Sequence, residues 1–352
     1  MAYTTINKGS SYFNTVLYTG NGATQSVTGV GFQPDFVWMK DRTVGFDHVL
    51  QDAVRGTTKI INSNQTYAEF TNTTSITSFN VDGFSTGAYV ATNNNTTPFV
   101  SWNWLGANTT ASNTSGTITS TVSANTTSGF SVVSWTGNGS NSDQTLGTGL
   151  STALDFVIAK PRDDGGGTNV WLVYVNGVTD AQNNCLLLNS SNALTTGAVQ
   201  GTPARGSTAG QLKLFAGTTG NQNLNANTLR YIAYCFHSVK GFSKFGSFTG
   251  NGSADGTFVY TGFKPSWFMY KKTNTTDNWY MLDNKRNTFN PEDKYFDANT
   301  SDVEDTFTFC DFLSNGIKFR SSSANGSGDT YIYMAFAENP FVSSTQIPTT
   351  AR

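Results

Sequence analysis

The sequence Tyr18-Thr19-Gly20-Asn21-Gly22 sets the architecture of this chain, because an aromatic residue followed by Thr-Gly-Asn-Gly occurs three times in it. The other copies are Trp135–Gly139 and Phe248–Gly252, so the copies lie 117 and 113 residues apart, close to the length of one small β domain. Such spacing indicates one unit used three times and argues against a single catalytic cleft. Asn-Gly and Gly-Asn pairs favour positive φ, so we interpret the phrase as a turn after an aromatic strand.

The same series of strand-like runs follows each copy. An apolar run that ends in lysine comes first, at 35–40, 155–160 and 266–271. An aromatic run closes each unit, at 99–104, 231–236 and 331–336. Short aromatic and β-branched runs bounded by Gly, Asn and Pro are typical of buried strands, and no long stretch has helical spacing. The sequence therefore predicts an all-β protein of three tandem antiparallel β-sandwich repeats.

The repeats define three predicted domains, at residues 1–108, 109–240 and 241–352. The stretch 107–128, at the first boundary, is nearly all Thr, Ser, Asn, Gly and Ala, which suits an exposed linker. However, residues 117–122 alternate between polar and apolar, so an edge strand is the alternative. The second boundary, near residue 240, is tight, so we expect the second and third units to pack directly.

Composition excludes several functional classes. Charged residues make up only 12% of the 352, and the formal net charge is −2. A nucleic-acid-binding face needs a basic patch, and a membrane span needs about 18 consecutive apolar residues; neither is present. The N-terminus has no apolar signal core, so we expect synthesis in a cytoplasm. The three cysteines lack a disulfide framework and are expected to be buried thiols.

No catalytic constellation is found, so we expect neither an enzyme nor a cofactor. Glycan-cleaving sandwiches place two carboxylates across a sheet, and no strand here carries alternating acids. The densest acidic patch is Asp297, Asp302, Glu304 and Asp305. It departs from an EF-hand loop at two positions, so no metal site is predicted, although a looser calcium site near 297–305 is left open.

Three aromatic residues are candidates for ligand binding. Trp171, Trp279 and Tyr280 follow polar hairpins, where exposed rings could stack on sugar faces. The alternative for all three is packing in a core.

Two Asp-x-x-Arg pairs occupy the same place in the first and third units. Asp52 with Arg55 and Asp283 with Arg286 are predicted to form local ion pairs that brace a turn. The second unit lacks this motif, which indicates a structural role.

The motifs together resemble a repeat found in bacteriophage structural proteins of tail-fibre or concanavalin-like type. The resemblance is carried by Gly-Phe-x-Pro-Asp-Phe-Val-Trp-x-Lys at 31–40, Asp-x-x-Arg-Gly-x-Thr-Lys at 52–59, Asp82-Gly83-Phe84, and the Val-x-Trp-x-Trp strand at 100–104. The join at 116–125 is similar to the join between tandem copies. The resemblance covers essentially the whole chain and implies jelly-roll or concanavalin-like sandwiches.

The resemblance also implies a non-enzymatic virion protein on the outer surface of the particle. We expect a tail- or fibre-associated protein that contacts a host-surface glycan, other virion proteins and further copies of itself, with a trimer favoured. A capsid decoration or cement protein is the first alternative, and a free carbohydrate-binding or glycan-degrading protein is the second.

Overall fold

The computed structural model describes residues 4–164, 169–179, 184–195, 203–215 and 224–339. Regular structure in these ranges is almost entirely strand, which confirms the all-β prediction. The helical elements there are α1 (Val90–Asn93) and two 3-10 turns at Gly9–Ser11 and Ser323–Asn325. No helix in the described ranges is long and apolar enough to cross a membrane.

The strands fall into three segments, which we call the first (residues 13–104), second (111–236) and third (243–339) segments. Those of the first are β1 (Phe13–Thr19), β2 (Gln25–Val27), β3 (Phe36–Asp41), β4 (Val49–Asp52), β5 (Lys59–Ile60), β6 (Phe70–Thr71), β7 (Ile76–Asn80), β8 (Gly83–Thr86) and β9 (Pro98–Trp104). Those of the second are β10 (Ala111–Asn113), β11 (Ser120–Asn125), β12 (Phe130–Thr136), β13 (Gln144–Gly147), β14 (Phe156–Pro161), β15 (Leu172–Val175), β16 (Leu186–Leu187), β17 (Pro203–Arg205), β18 (Gln211–Leu214) and β19 (Arg230–Phe236). Those of the third are β20 (Ser243–Thr249), β21 (Phe258–Tyr260), β22 (Lys264–Lys272), β23 (Trp279–Asp283), β24 (Glu292–Asp297), β25 (Asp305–Leu313), β26 (Gly316–Phe319) and β27 (Thr330–Asn339).

One strand order recurs in the three segments, and all the named pairings are antiparallel. It is β1-β9-β3-β4 in the first segment, β12-β19-β14-β15 within a seven-stranded sheet in the second, and β20-β27-β22-β23 in the third. The last strand of each segment therefore lies between the strand that leads into the Thr-Gly-Asn-Gly phrase and the strand formed by the apolar run that ends in lysine. These inner strands are buried on both faces because both faces are covered.

The three segments differ in how they form a second layer. Separate three-stranded sheets do so in the first two segments, with orders β2-β8-β7 and β13-β18-β17. In the third segment a single eight-stranded sheet curls over itself, because β24 pairs with both β23 and β25. The stretch 107–128, which the sequence left open between linker and strand, contains β10 and β11, and β11 pairs with β12 along its whole length.

Each segment has an apolar core of its own, and a further core joins all three. The shared core is built mainly from the aromatic and aliphatic side chains on the opposite face of the three recurring sheets. Trp104, Phe236 and Phe336, from the last strand of each segment, meet there. Trp104 and Phe236 are the last residues of β9 and β19, and Phe336 lies three residues before the end of β27. The ring centroids lie 5.8 Å apart for Trp104 and Phe336 and 6.0 Å apart for Phe236 and Phe336. The segments are therefore joined through a common hydrophobic interior and not only along the chain.

Contacts between the segments run in a cycle, from the first to the second, the second to the third and the third to the first. Each interface contains polar contacts as well as apolar packing. Examples are Arg162 with Glu69 at 2.9 Å, the Leu194 N–H with the Thr273 carbonyl at 2.7 Å, and Arg42 with Glu304 at 2.7 Å.

Three buried lysines occupy equivalent positions at the end of β3, β14 and β22. Lys40, Lys160 and Lys271 are fully buried, and each ammonium donates to backbone carbonyl oxygens. Gln65 of the first segment accepts from Lys160 at 3.0 Å, and Ser191 of the second accepts from Lys271 at 3.2 Å. Burial lowers the pKa of Lys160 to about 7 and the pKa values of Lys40 and Lys271 to about 8. At least two of these cations therefore lie at the interfaces between segments.

The Thr-Gly-Asn-Gly phrases form turns, as predicted. Their last glycines, Gly22, Gly139 and Gly252, have φ of 67°, 67° and 68°, a region that side chains with a Cβ adopt only at a cost. The aromatic residue before each turn stacks on an aromatic residue of the last strand. The centroid distances are 5.1 Å for Tyr18 on Phe99, 5.3 Å for Trp135 on Tyr231 and 4.8 Å for Phe248 on Tyr331.

A buried asparagine holds each of these turns in place. The pairs are Asn21 with Asn93, Asn138 with Asn225 and Asn251 with Asn325. In each pair the buried side-chain oxygen accepts from the backbone N–H of the phrase, at 2.8, 3.0 and 3.2 Å respectively, and the buried amide donates back. The recurring phrase thus connects the end of β1, β12 or β20 to the short helix, loop or 3-10 turn that precedes the last strand of the segment.

Replacing Asn93 with alanine is expected to lower the free energy of unfolding by about 3 kcal/mol. The Asn93 side chain is fully buried and also accepts from Gln25 at 2.6 Å and donates to the Gly87 carbonyl at 2.7 Å. Its loss leaves several buried polar groups without partners. Denaturant unfolding checks this, with the exposed Asn95 replaced by alanine as the control. Equal stability of the two variants would show that the hydrogen bonds of Asn93 do not stabilise the fold.

Candidate functional site

Two of the three proposed stacking residues are not on the surface. Trp171 and Trp279 are fully buried in the shared core, and their indole N–H groups donate to carbonyls of the preceding segment, at 2.8 Å to Asn62 and 2.9 Å to Leu187. The structure therefore corrects their assignment to ligand stacking. Their amphipathic rings are needed at the interfaces, where the ring fills the core and the N–H satisfies a buried carbonyl.

His48 takes the same place in the first segment. It is fully buried, its Nδ1 accepts from the Trp38 indole at 2.9 Å, and its Nε2 lies 3.2 Å from the Asp297 carbonyl of the third segment. Burial lowers the pKa of His48 well below its usual range. The neutral ring therefore completes the third interface of the cycle.

Tyr280, the third stacking candidate, is half-buried. Its hydroxyl donates to Asp277 at 2.7 Å, and its ring packs against Phe309 and Tyr270 at centroid distances of 5.0 and 5.3 Å. Tyr280 therefore lies at the edge of the core of the third segment.

Both predicted ion pairs form. The shortest nitrogen–oxygen distance is 2.6 Å in each, for Arg55 with Asp52 and for Arg286 with Asp283, and all four side chains are buried. Each pair also reaches a neighbouring segment. The Tyr234 hydroxyl donates to Asp52 at 2.9 Å, and the Trp102 indole donates to Asp283 at 3.1 Å. Each ion pair therefore stabilises an interface between two segments as well as its own turn.

Two carboxylates of the acidic patch at 297–305 make contacts with other side chains. Glu304 pairs with Arg42, and Asp297 accepts from Asn278 at 2.8 Å. Burial raises the pKa of Asp297 to about 7. Within the described residues, no group of three or more His, Cys, Asp and Glu side chains is arranged to hold a metal ion. The three cysteines are free and buried, as predicted.

A pocket of about 400 Å³ lies in the third segment, beside the loop that joins β23 to β24. It combines an exposed aromatic ring, a buried carboxyl group, an amide and two lysines. The lining residues are Lys264, Asn284, Lys285, Thr288, Phe289, Asn290, Glu292, Phe312 and Glu338.

Two anchors position the loop that forms this pocket. At its start, Arg286 pairs with Asp283 and donates to the Met281 carbonyl at 3.0 Å. At its end, the Asn290 side chain accepts from the Phe312 N–H at 2.8 Å and donates to the Phe312 carbonyl at 3.1 Å. Between these anchors Phe289 extends into solvent with 84% of its surface exposed.

Glu292 begins β24 at the base of the pocket and is only 2% exposed. Its Oε2 has no hydrogen-bond partner among the described residues, nor has the Oδ1 of the neighbouring Asn284. Burial, with a smaller effect of the Asp283 charge, raises the pKa of Glu292 to about 8. At neutral pH its carboxyl group is therefore largely protonated and can donate a hydrogen bond, while Asn284 can accept one.

The charges around the pocket are partly compensated. Lys264 pairs with Glu338 at 3.0 Å. Lys285 is exposed, and no carboxylate lies within ion-pair distance of it in the described part of the chain. With Glu292 protonated, the pocket therefore has an excess of positive charge.

A second pocket, of about 430 Å³, lies against β11, β12 and the start of β19. Hydroxyl groups of Thr and Ser line it, together with Arg162 and Arg230. Both arginines are already paired, with Glu69 and Asp163, so this pocket offers a ligand less uncompensated charge than the first.

Phe289, Asn284 and Glu292 were not among the site residues predicted from the sequence. A signal was present in Thr288-Phe289-Asn290-Pro291-Glu292, where a lone aromatic residue stands in a polar turn that ends at proline. An apolar ring within a turn has no strand to place it in a core, so exposure is its default state.

Comparison with known proteins identifies the family of the chain. No curated protein shows significant similarity to the chain. A family model described as "Domain of unknown function (DUF7483)" matches residues 8–340, which is most of the sequence. The chain therefore belongs to the DUF7483 family.

Proposed function

We propose that this chain is a non-enzymatic bacteriophage virion protein of the outer particle surface, associated with the tail or a fibre, and that it contacts a host-surface glycan through the pocket beside Phe289. The observation that carries the proposal is the pairing of an exposed aromatic ring with unpartnered polar groups in one pocket. Sugars present apolar faces that stack on such rings and hydroxyl groups that need donors and acceptors. The virion assignment itself rests on the motif resemblance.

The proposal is for binding and not for hydrolysis. Glycoside hydrolysis uses two carboxyl groups, one as an acid and one as a nucleophile or base. Glu292 could supply an acid, but Glu338, the other acidic residue of the pocket, is engaged by Lys264. We therefore assign Glu292 a role in binding.

The proposal includes the finer architecture, which is three tandem β-sandwich units of jelly-roll or concanavalin-like type. The recurring strand order, the recurring asparagine pairs and the separate core of each segment support it. The predicted boundaries at 108 and 240 fit the gaps between the three segments. Self-association, with a trimer favoured, and contacts with other virion proteins are part of the same proposal.

A capsid decoration or cement protein is the second candidate. The cyclic contacts among the three segments favour it, because three units that share one strand order and contact each other in a cycle suit a threefold position on a particle. In that case the chain would be present in hundreds of copies, and capsids without it would be weakened.

Competition with adsorption tests the first candidate. The purified protein is expected to bind host cells and to slow the adsorption of virions in proportion to its concentration, and Phe289→Ala is expected to reduce both effects at least tenfold. The control is Phe258→Ala, since Phe258 is an exposed aromatic residue of β21 outside the pocket. Host-cell binding that is absent, or unchanged in Phe289→Ala, would exclude glycan contact at this pocket.

A further inference from the structure

We propose that the pocket beside Phe289 selects a sugar that carries a carboxylate, and that Glu292 recognises this group by donating a hydrogen bond to it. The inference rests on the proposed glycan contact and adds the chemical class of the ligand. It follows from the donors, acceptors and charges that the pocket leaves without partners.

Two polar side chains that line the pocket, Glu292 and Asn284, each have a buried oxygen atom without a hydrogen-bond partner among the described residues. Glu292 Oε2 is buried and unpartnered, so its protonated form lacks an acceptor there. The unpartnered Asn284 Oδ1 lacks a donor. A sugar acid supplies both, because its carboxylate accepts and its hydroxyl groups donate. A carboxyl group that donates to a carboxylate makes a short, charge-assisted hydrogen bond, which is stronger than a bond to a neutral hydroxyl.

The apolar and charged parts of the pocket fit the same ligand. Phe289 and Phe312 supply apolar surface for the sugar ring. Lys285, which has no ion-pair partner in the described residues, supplies a positive charge. A neutral sugar would leave that charge unused, and an amino sugar would be repelled by it.

The groups around Glu292 keep its carboxyl group neutral in the free protein. Burial raises the pKa of Glu292 to about 8, and the Asp283 charge adds to the effect, whereas Arg286 and Lys264 oppose it. The opposing strand places Cys310 directly across from Glu292, and burial raises the pKa of this thiol well above its usual range, so it stays uncharged. The charged groups facing Glu292 or lining the pocket are Asp283 of β23, Lys285 and Arg286 of the loop after it, Lys264 of β22, Asp293 of β24 and Glu338 of β27.

The affinity of the pocket for a carboxylate is expected to fall at high pH, because Glu292 then loses its proton. Below about pH 7 the group is protonated and donates, so affinity for a carboxylate is constant. Above its pKa the group becomes a carboxylate that repels the ligand, and affinity falls about tenfold for each further pH unit. Glu292→Gln keeps a hydrogen-bond donor but cannot titrate, so its affinity is expected to stay level with pH.

The experiment measures the binding of the full chain to immobilised uronic-acid and sialic-acid oligosaccharides, each beside the same sugar with its carboxyl groups reduced to alcohols. We expect at least tenfold tighter binding to the carboxylated form, and a loss of about tenfold between about pH 6.5 and about pH 9 in the wild type but not in Glu292→Gln. Inorganic phosphate and sulfate are tested as competitors. Competition at concentrations as low as those of the free sugar acid would show that any oxyanion suffices and would overturn the carboxylate assignment.

The other outcomes separate this inference from the proposed function. Equal binding to carboxylated and reduced sugars overturns the inference and leaves glycan contact standing. The same pH dependence in wild type and Glu292→Gln shows that another group titrates, which overturns the role of Glu292. Binding to neither form removes the support for glycan contact itself. Phe258→Ala serves as the folded control throughout.

Discussion

Replacing Asp283 with alanine is expected to lower the free energy of unfolding by about 3–5 kcal/mol, because it leaves the Arg286 guanidinium buried without its main partner. The two side chains have no exposed surface and meet at 2.6 Å. Asp283 also accepts from the Trp102 indole at 3.1 Å and from the backbone N–H of Arg286 at 3.0 Å. The change therefore weakens the turn and the interface with the first segment at once, and it also loosens the loop that carries Phe289.

Chemical denaturation of two further variants shows whether the charge is the cause. The double variant Asp283→Ala/Arg286→Met buries no unpaired cation and is expected to be more stable than Asp283→Ala. The control is Asp255→Ala, which breaks an exposed pair with Lys318 and should leave stability unchanged. A double variant less stable than the single variant would mean that Arg286 stabilises the fold without Asp283.

Replacing Trp104 with alanine is expected to lower the free energy of unfolding by about 3–5 kcal/mol, and all three segments should be destabilised. The buried ring lies at centroid distances of 4.9 Å from Phe13, 5.9 Å from Trp267 and 5.8 Å from Phe336. Its indole nitrogen has no hydrogen-bond partner among the described residues, so the loss comes from packing alone. Removing the ring opens a cavity at the point where the segments meet.

Amide hydrogen exchange shows which strands are destabilised by the replacement of Trp104. In Trp104→Ala we expect faster exchange in β9 of the first segment and also in β19 and β27, the equivalent strands of the other two. Phe258→Ala, which removes an exposed ring, should leave all three unchanged. Faster exchange confined to the first segment would mean that the segments are energetically independent despite the shared core.

The sequence predicted the elements of this fold but not their assembly. The Thr-Gly-Asn-Gly turns and the two ion pairs could be predicted because they depend on nearby residues, such as Asp52 and Arg55, or on local φ preferences. The shared core could not, since an aromatic run such as 99–104 looks the same whether one face or both are buried. Trp171 and Trp279 were misassigned for this reason, because their hairpins are polar although the rings face another segment.

The pocket was missed for a related reason. Glu292 and Asn284 acquire their properties from burial and from the lack of nearby partners, neither of which a sequence displays. The pKa of Glu292 is raised mainly by burial. Glu292 lies opposite Cys310 of β25, a strand that a polar stretch separates from β24 in the sequence. Only Phe289, as an apolar residue in a polar turn, had a local signal.

The copy number and position of the chain on an imaged particle decide whether it is a virion protein of the outer surface. Mass spectrometry of purified virions and electron cryomicroscopy of the same sample give both quantities. We expect the chain on the outer surface, in few copies on the tail or a fibre, or in hundreds of copies on the capsid if the second candidate holds. Absence of the chain from purified particles would exclude a virion role.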